Sequence, residues 1–145
     1  MYLYFNGLVI REGTEGVPAD YVEALFEDAG WARNTPSWQK EKFSLIFSNS
    51  TWAFTVWDND KMIGMVRVIS DKIMAANILD LVVLSDYRGK GYATECLNYA
   101  KQIAENTNCY KMMLLTGSKK KEILNFYGNA RYNSTDKTAF IQWLE

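Results

Sequence analysis

Leu81-Val82-Val83-Leu84-Ser85-Asp86-Tyr87-Arg88-Gly89-Lys90-Gly91-Tyr92-Ala93-Thr94 is the stretch that decides the fold. An apolar, β-branched segment of strand length runs through a glycine-rich turn straight into a helical pattern. In that pattern Ala93, Cys96, Leu97, Ala100, Ile103 and Ala104 recur at helical spacing. The longer run NILDLVVLS, residues 77–85, is nearly continuous in apolar residues, as expected of a central strand covered on both faces, so its one charge, Asp80, stands out. Gly89 and Gly91 tolerate backbone angles that other residues resist, and without Cβ atoms their consecutive N–H groups can converge on an oxyanion. The helix that follows adds unpaired N–H groups and the positive end of its dipole, which together favour a phosphate. Arg88 and Lys90 supply cationic side chains nearby.

Working outward, YLYFNGLVI predicts an opening strand, and Pro18 to Ala29 a helix stopped by Gly30. Thr35-Pro36 caps a second short helix through Trp38, Lys42, Leu45 and Ile46. TWAFTVW and KMIGMVRVIS flank Asp58-Asn59-Asp60 and predict a β-hairpin. CYKMMLLT predicts a strand, Ser118 caps a helix carrying Ile123, Leu124, Phe126 and Tyr127, and RYNSTDKTAFIQWLE predicts a closing hairpin. Met62, Met65, Met74, Met112 and Met113 fall on these strands or their edges and are expected as core fillers. No repeat, linker or charge block divides the chain, so residues 1–145 are expected to form a single mixed α/β (α+β) domain.

Composition narrows the chemistry. The 145 residues carry 16 Lys plus Arg against 17 Asp plus Glu, a formal net charge of −1, which argues against nucleic acid or an anionic membrane as partner. No apolar run approaches a membrane span, and the N-terminus lacks a basic start followed by an apolar stretch, so the expected location is cytoplasmic. There is no histidine, which removes Ser-His-Asp and Cys-His nucleophiles and any histidine base, and the 2 cysteines, Cys96 and Cys109, cannot build a zinc site. No metal is expected. An enzyme on this chain works with carboxylates, Tyr, Lys, Cys or backbone groups.

Spacing separates three phosphate motifs. A Walker loop needs glycine five residues before its Gly-Lys, where Leu84 stands. A dinucleotide fingerprint starting at Gly89 finds Thr94 where Gly or Ala is wanted. The third pattern fits: Arg88-x-x-Gly91-x-Ala93, between a hydrophobic strand and a helix, resembles the acyl-CoA-binding motif of the GNAT N-acetyltransferase superfamily. LNFYGNARY resembles the same family's second signature, a helix ending in Phe-Tyr before a turn and an aromatic residue, with Arg131 where the family usually has glycine.

The resemblance implies a mixed, mostly antiparallel central sheet flanked by about four helices, and an acyltransferase that moves acetyl from acetyl-CoA to a primary amine of a small molecule or accessible peptide by direct attack in a ternary complex. By the same resemblance, the backbone of Leu81, Val82 and Val83 pairs with the pantetheine arm beside a splay between central strands. The N–H groups of Arg88, Gly89, Lys90, Gly91, Tyr92, Ala93 and Thr94 wrap the pyrophosphate, and Tyr127 is the general acid for the departing thiolate. An amine with a pKa near 10.4 is mostly protonated at neutral pH, so a base or water chain is required. Asp80 is the first protein candidate for it, and a strand N–H near Val83 or Leu84 is a candidate donor to the developing oxyanion. Trp31 and Trp38, near the first two helices, are candidates for the acceptor pocket. A homodimer fits the family's habit. The alternatives are a CoA-binding sensor or partner module without catalysis and, more distantly, a dinucleotide-dependent oxidoreductase.

Overall fold

The computed structural model of the chain describes residues 2–31 and 35–144. Six strands form one sheet in sequence order: β1 (Tyr2–Phe5), β2 (Leu8–Glu12), β3 (Trp52–Asp58), β4 (Lys61–Ser70), β5 (Ala75–Val83) and β6 (Lys111–Leu114). All neighbours run antiparallel except β5 and β6. The α-helices are α1 (Ala19–Asp28), α2 (Ser37–Lys40), α3 (Phe43–Ser48), α4 (Tyr92–Asn106) and α5 (Lys121–Asn129). The expected mixed, mostly antiparallel sheet is present, with five helices where about four were expected because the second one is split.

The sheet has a core on each face. On one side Val22 and Leu25 of α1 and Phe43 and Phe47 of α3 pack on Ala53, Met65 and Val82. On the other, Cys96, Leu97, Ala100 and Ala104 of α4 pack on Phe54, Val66, Val68 and Ile78. Strand alternation produces this division: Met65 and Val66 are adjacent on β4 and face opposite layers, so a strand covered twice must be apolar almost throughout.

Several local expectations are corrected. The opening segment is a hairpin rather than one strand, because Asn6 (φ 46°) and Gly7 (φ 80°) take the left-handed pair of angles that a two-residue turn demands. The second helix breaks after Lys40 and resumes at Phe43, and its N-cap is Pro36, with no side-chain cap from Thr35. The last helix starts at Lys121, three residues after Ser118, whose Oγ instead accepts the Lys120 N–H at 3.3 Å. Met74 and Met113 are exposed, while Met62 and Met65 are buried as expected.

The closing hairpin is absent among the described residues. Asn133 Oδ1 accepts the N–H groups of Thr135 and Asp136 and folds the segment after α5 into a side-chain-stabilised turn. The residues beyond it pair with no strand, leaving Phe140 91% and Trp143 85% exposed. Alternation of apolar residues is a pattern a strand requires, but the pairing edge is what makes the strand.

Candidate functional site

β5 is the longer partner of β6. The two pair only from Ala75↔Lys111 to Ile78↔Leu114, so Leu79 to Val83 have no neighbour on that side and the sheet splays open. A bulge sits at the start of this free edge. Register with β4 passes from Arg67↔Leu79 to Met65↔Val82, and Asp80 absorbs the extra residue with φ 53°, a left-handed angle that Asp tolerates better than most. Leu84 donates its N–H to Ile63 O at 2.8 Å, on the β4 side. Alternation then turns the amides of Leu81 and Val83 into the opening. Leu84 is thus removed as an oxyanion donor, because its N–H is already spent, and Val83 is left in that place.

Beyond β5 the chain makes one 3-10 turn, Ser85–Tyr87, and reaches the loop ahead of α4. Gly89 (φ 76°) and Gly91 (φ 90°) both occupy the region that favours glycine. Gly91 is the N-cap of α4 and has no side-chain capping bond. Among the described residues no acceptor takes the N–H groups of Gly89 through Thr94, and the first helical bond is Glu95 N–H to Gly91 O at 3.0 Å. Consecutive free donors at the positive end of a 15-residue helix fit an anion such as a pyrophosphate. The side chain of Tyr92 turns the other way, buried in the α4-side core.

The loop is fixed from both ends. Asn6 donates its side-chain N–H to Lys90 O at 2.9 Å, Tyr92 donates its hydroxyl to Asn6 O at 3.0 Å, and the Phe5 ring meets Tyr92 edge-on at 5.9 Å. At the other end Asp28 accepts the Ser85 N–H (3.0 Å) and hydroxyl (2.5 Å) and pairs with Arg88 Nη2 at 3.0 Å. The Ser85 hydrogen bonds, and then the nearby Arg88 charge, hold the Asp28 carboxyl below the usual range. Arg88 also donates Nε–H to Val83 O at 2.8 Å. Its guanidinium thus ties the loop to Val83 and Asp28 through Nε and Nη2. The Lys90 ammonium lies 5.7 Å from the centre of the Tyr87 ring.

The two catalytic candidates lie on opposite faces of the sheet. Tyr127 packs on the α4-side core with its ring edge-on to Tyr132 at 6.0 Å, and burial raises its phenol pKa, so it holds its proton. Asp80 accepts Arg67 Nε–H at 2.5 Å and forms a half-buried ion pair. Arg67 shares its strand alternation with Met65 of the α1-side core, which places the pair on that face. Trp31 lies just past α1, tilted on Phe26 at 5.5 Å, and Trp38 lies on α2 under the Lys42 ammonium. Both are exposed, their rings do not stack on one another, and residues 32–34 between them lie outside the described residues. Cys96 is fully buried, which pushes its thiol up to about 12, so it is no acyl acceptor.

Sequence reasoning missed Phe5, Asn6, Asp28 and Arg67. The Asn6-Gly7 dipeptide was a readable hairpin signal. Nothing local in the sequence marks the other three, which act across the fold.

Comparison with solved structures agrees with this architecture. A GNAT-family acetyltransferase from Streptococcus pneumoniae superposes with a TM-score of 0.75 at 22% identity, over 95% of this chain and 98% of that one. An aminoglycoside acetyltransferase from an uncultured soil metagenomic sample, solved with sisomicin, gives 0.76 at 14% identity, over 95% and 96%. AAC(6')-Iy, solved with a CoA-containing bisubstrate analogue, gives 0.71 at 14% identity, over 94% and 98%. At these identities the likeness is one of fold. No curated protein matches the chain in sequence. The sequence model of the acetyltransferase (GNAT) family matches residues 19–130, which takes in most of both sheet cores, the free edge of β5, the glycine loop and Tyr127, and the chain accordingly belongs to that family of acyltransferases.

Proposed function

We propose that the protein is an N-acetyltransferase that moves the acetyl group of acetyl-CoA to a primary amine of a small molecule or accessible peptide, by direct attack in a ternary complex. The observation that carries this reading is the continuity of the free β5 edge with the unpaired amides of Gly89 to Thr94. An extended amide-bearing arm would pair along Leu81 and Val83, and a pyrophosphate would lie across the loop.

The residues divide the work. The Val83 N–H faces the thioester carbonyl and stabilises negative charge on its oxygen as the amine nitrogen attacks. Collapse of the tetrahedral centre breaks the C–S bond, and the Tyr127 hydroxyl gives its proton to the leaving sulfur. Asp80, through a water on the oxygen that Arg67 leaves free, takes the proton released by the amine. Because Asp80 and Tyr127 lie on opposite faces, amine and thiol would leave and arrive by different sides of the splay. Trp31 and Trp38 flank the amine side. On the family's pattern the enzyme is cytoplasmic and dimeric.

The test is a coupled thiol-release assay over a panel of amines, with Tyr127→Phe and Asp80→Asn beside the wild type. Tyr127→Phe should lower kcat by roughly 10² to 10⁴ while acetyl-CoA affinity stays within twofold. Asn accepts the left-handed angle at position 80, so Asp80→Asn keeps the bulge and removes only the charge. A fully active Tyr127→Phe removes the tyrosine from the chemistry, and acetyl-CoA binding without transfer to any amine favours the non-catalytic module.

A further inference from the structure

A second concave site lies well away from the splay, around Arg11 on β2. Arg11 pairs in register with Tyr2 on β1 and Thr55 on β3, so the three side chains share the α1-side face of the sheet. The guanidinium carbon lies 4.2 Å from the centre of the Trp57 ring and 5.6 Å from that of Tyr2. The Arg11 Nε is sealed from solvent and has no hydrogen-bond partner among the described residues, and none of their carboxylates forms an ion pair with Arg11. Stacking on aromatic rings offsets part of the cost of burying a cation, but it leaves the N–H donor unsatisfied. Arg67 and Arg88 each hold a carboxylate, while Arg131, which also has no ion pair among the described residues, is exposed to water.

The surroundings supply a cleft beside this guanidinium, whose terminal nitrogens, and not the sealed Nε, would meet a ligand. A cleft of about 200 Å³ opens over Arg11, walled by Thr55, Trp57 and the turn from Gly13 to Val17, with room for one small organic molecule. Thr55 is buried and its Oγ accepts the Trp57 indole N–H at 2.8 Å, which leaves the hydroxyl proton of Thr55 available to a ligand. Of the two glutamates at its wall, Glu12 pairs with Phe54 and alternates to the α4-side face, which leaves Glu15 to balance Arg11. One cation set against one carboxylate does not favour a dianionic phosphate. It suits a molecule that brings one carboxylate to the fork of Arg11 and one ammonium group to Glu15.

We propose that this cleft binds a free amino acid, its carboxylate on Arg11 and Thr55 and its ammonium group toward Glu15. The site is separate from the acetyl-transfer site and does not rest on that reading. Arg11, Thr55, Met65 and Val82 form one row across the sheet, so Arg11 stands three strand spacings, about 14 Å, from the free edge of β5. Buried Met65 and Val82 fill the ground between.

The test follows the indole N–H resonances of the 5 tryptophans in the protein without acetyl-CoA, that of Trp57 being assigned with Trp57→Phe. The probes are the free amino acids, their decarboxylated amines, acetate and inorganic phosphate. A saturable shift of the Trp57 signal with one or more amino acids, at least tenfold weaker with the matched amine, is the expected result. Arg11→Lys keeps the charge without the planar fork and should weaken that binding at least tenfold. Glu15→Gln, an exposed change, should narrow the preference for an amino acid over acetate. No saturable shift at millimolar amino acid overturns the proposal. So does an equal response to the amine, a response to phosphate alone, or an Arg11→Lys protein that binds as the wild type does.

Discussion

Gly91→Ala probes the loop at its tightest point. At φ 90° a residue with a Cβ is strained by about 1 to 2 kcal/mol. The added Cβ would also lie 3.2 and 3.3 Å from two atoms of the Phe5 ring, closer than ordinary contact, so the ring must retreat and disturb its edge contact with Tyr92. Lower entropy of the unfolded chain returns about 0.5 to 1 kcal/mol. With about 1 to 1.5 kcal/mol for the displaced ring, the net loss is about 2 kcal/mol, which for a chain of this length lowers Tm by roughly 6 to 10 °C. Gly89→Ala is the internal control: φ is 76° there, but the new Cβ meets nothing within 4 Å, so the loss should be less than half as large. Calorimetric melting of both variants, with acetyl-CoA titrated into each, reads stability and binding together. Gly91→Ala should bind acetyl-CoA at least tenfold more weakly, and Phe5→Leu added to it should recover part of the Tm. If the two glycine variants melt together, the Phe5 contact is not what sets the loop; if Gly91→Ala binds acetyl-CoA as tightly as the wild type, the loop does not hold the cofactor.

Alkali and the turn after α5 give further tests. Tyr132 is raised from 10.0 to about 12 by burial and by the neighbouring Tyr127, so its neutral form is favoured in the folded state. The stability this contributes is complete below pH 10 and is lost as pH rises through about 12. Denaturant melts of Tyr132→Phe should therefore show a shallower fall in stability above pH 10, and parallel curves would show that the phenol does not titrate as described. Buried Cys96, also raised to about 12, should begin its own loss near pH 9 in both proteins. Arg131 holds φ 69°, and Arg131→Gly should raise stability by about 0.5 to 1 kcal/mol in the same melts, whereas a loss would mean that the arginine side chain contributes more than its backbone strain costs.

The sequence was most legible where one segment carried several signals at once. From Ile78 to Ala104 apolar continuity, two glycines and helical spacing all pointed to one arrangement, and β5, the loop and α4 are found there. The second signature was legible too: Arg131 stands where glycine is usual and takes a glycine-like angle. Two kinds of information were hidden. One was pairing: FIQWL has a strand's composition, but whether a free sheet edge meets it depends on the whole fold. The other was the use made of each charge. Asp80 and Arg88 were conspicuous as isolated charges, yet their partners Arg67 and Asp28 stand 13 and 60 residues away, and no local pattern joins them. Arg11 was passed over for the same reason, since its isolation appears only when β1, β2 and β3 are side by side.

The link between Asn6 and the glycine loop bears on the order in which the chain organises itself. Lys90 and Tyr92 are joined to Asn6 across separations of 84 and 86 residues. Contacts so distant require a large loop to close before they contribute any stabilisation. During synthesis the N-terminal hairpin emerges first and must wait, its inner side uncovered, until the loop and α4 arrive. The loop in turn gains its final shape only when that hairpin docks beneath it. The amides suited to a pyrophosphate therefore depend for their shape on contacts 84 and 86 residues away, although their glycines are the first feature a reader of the sequence notices.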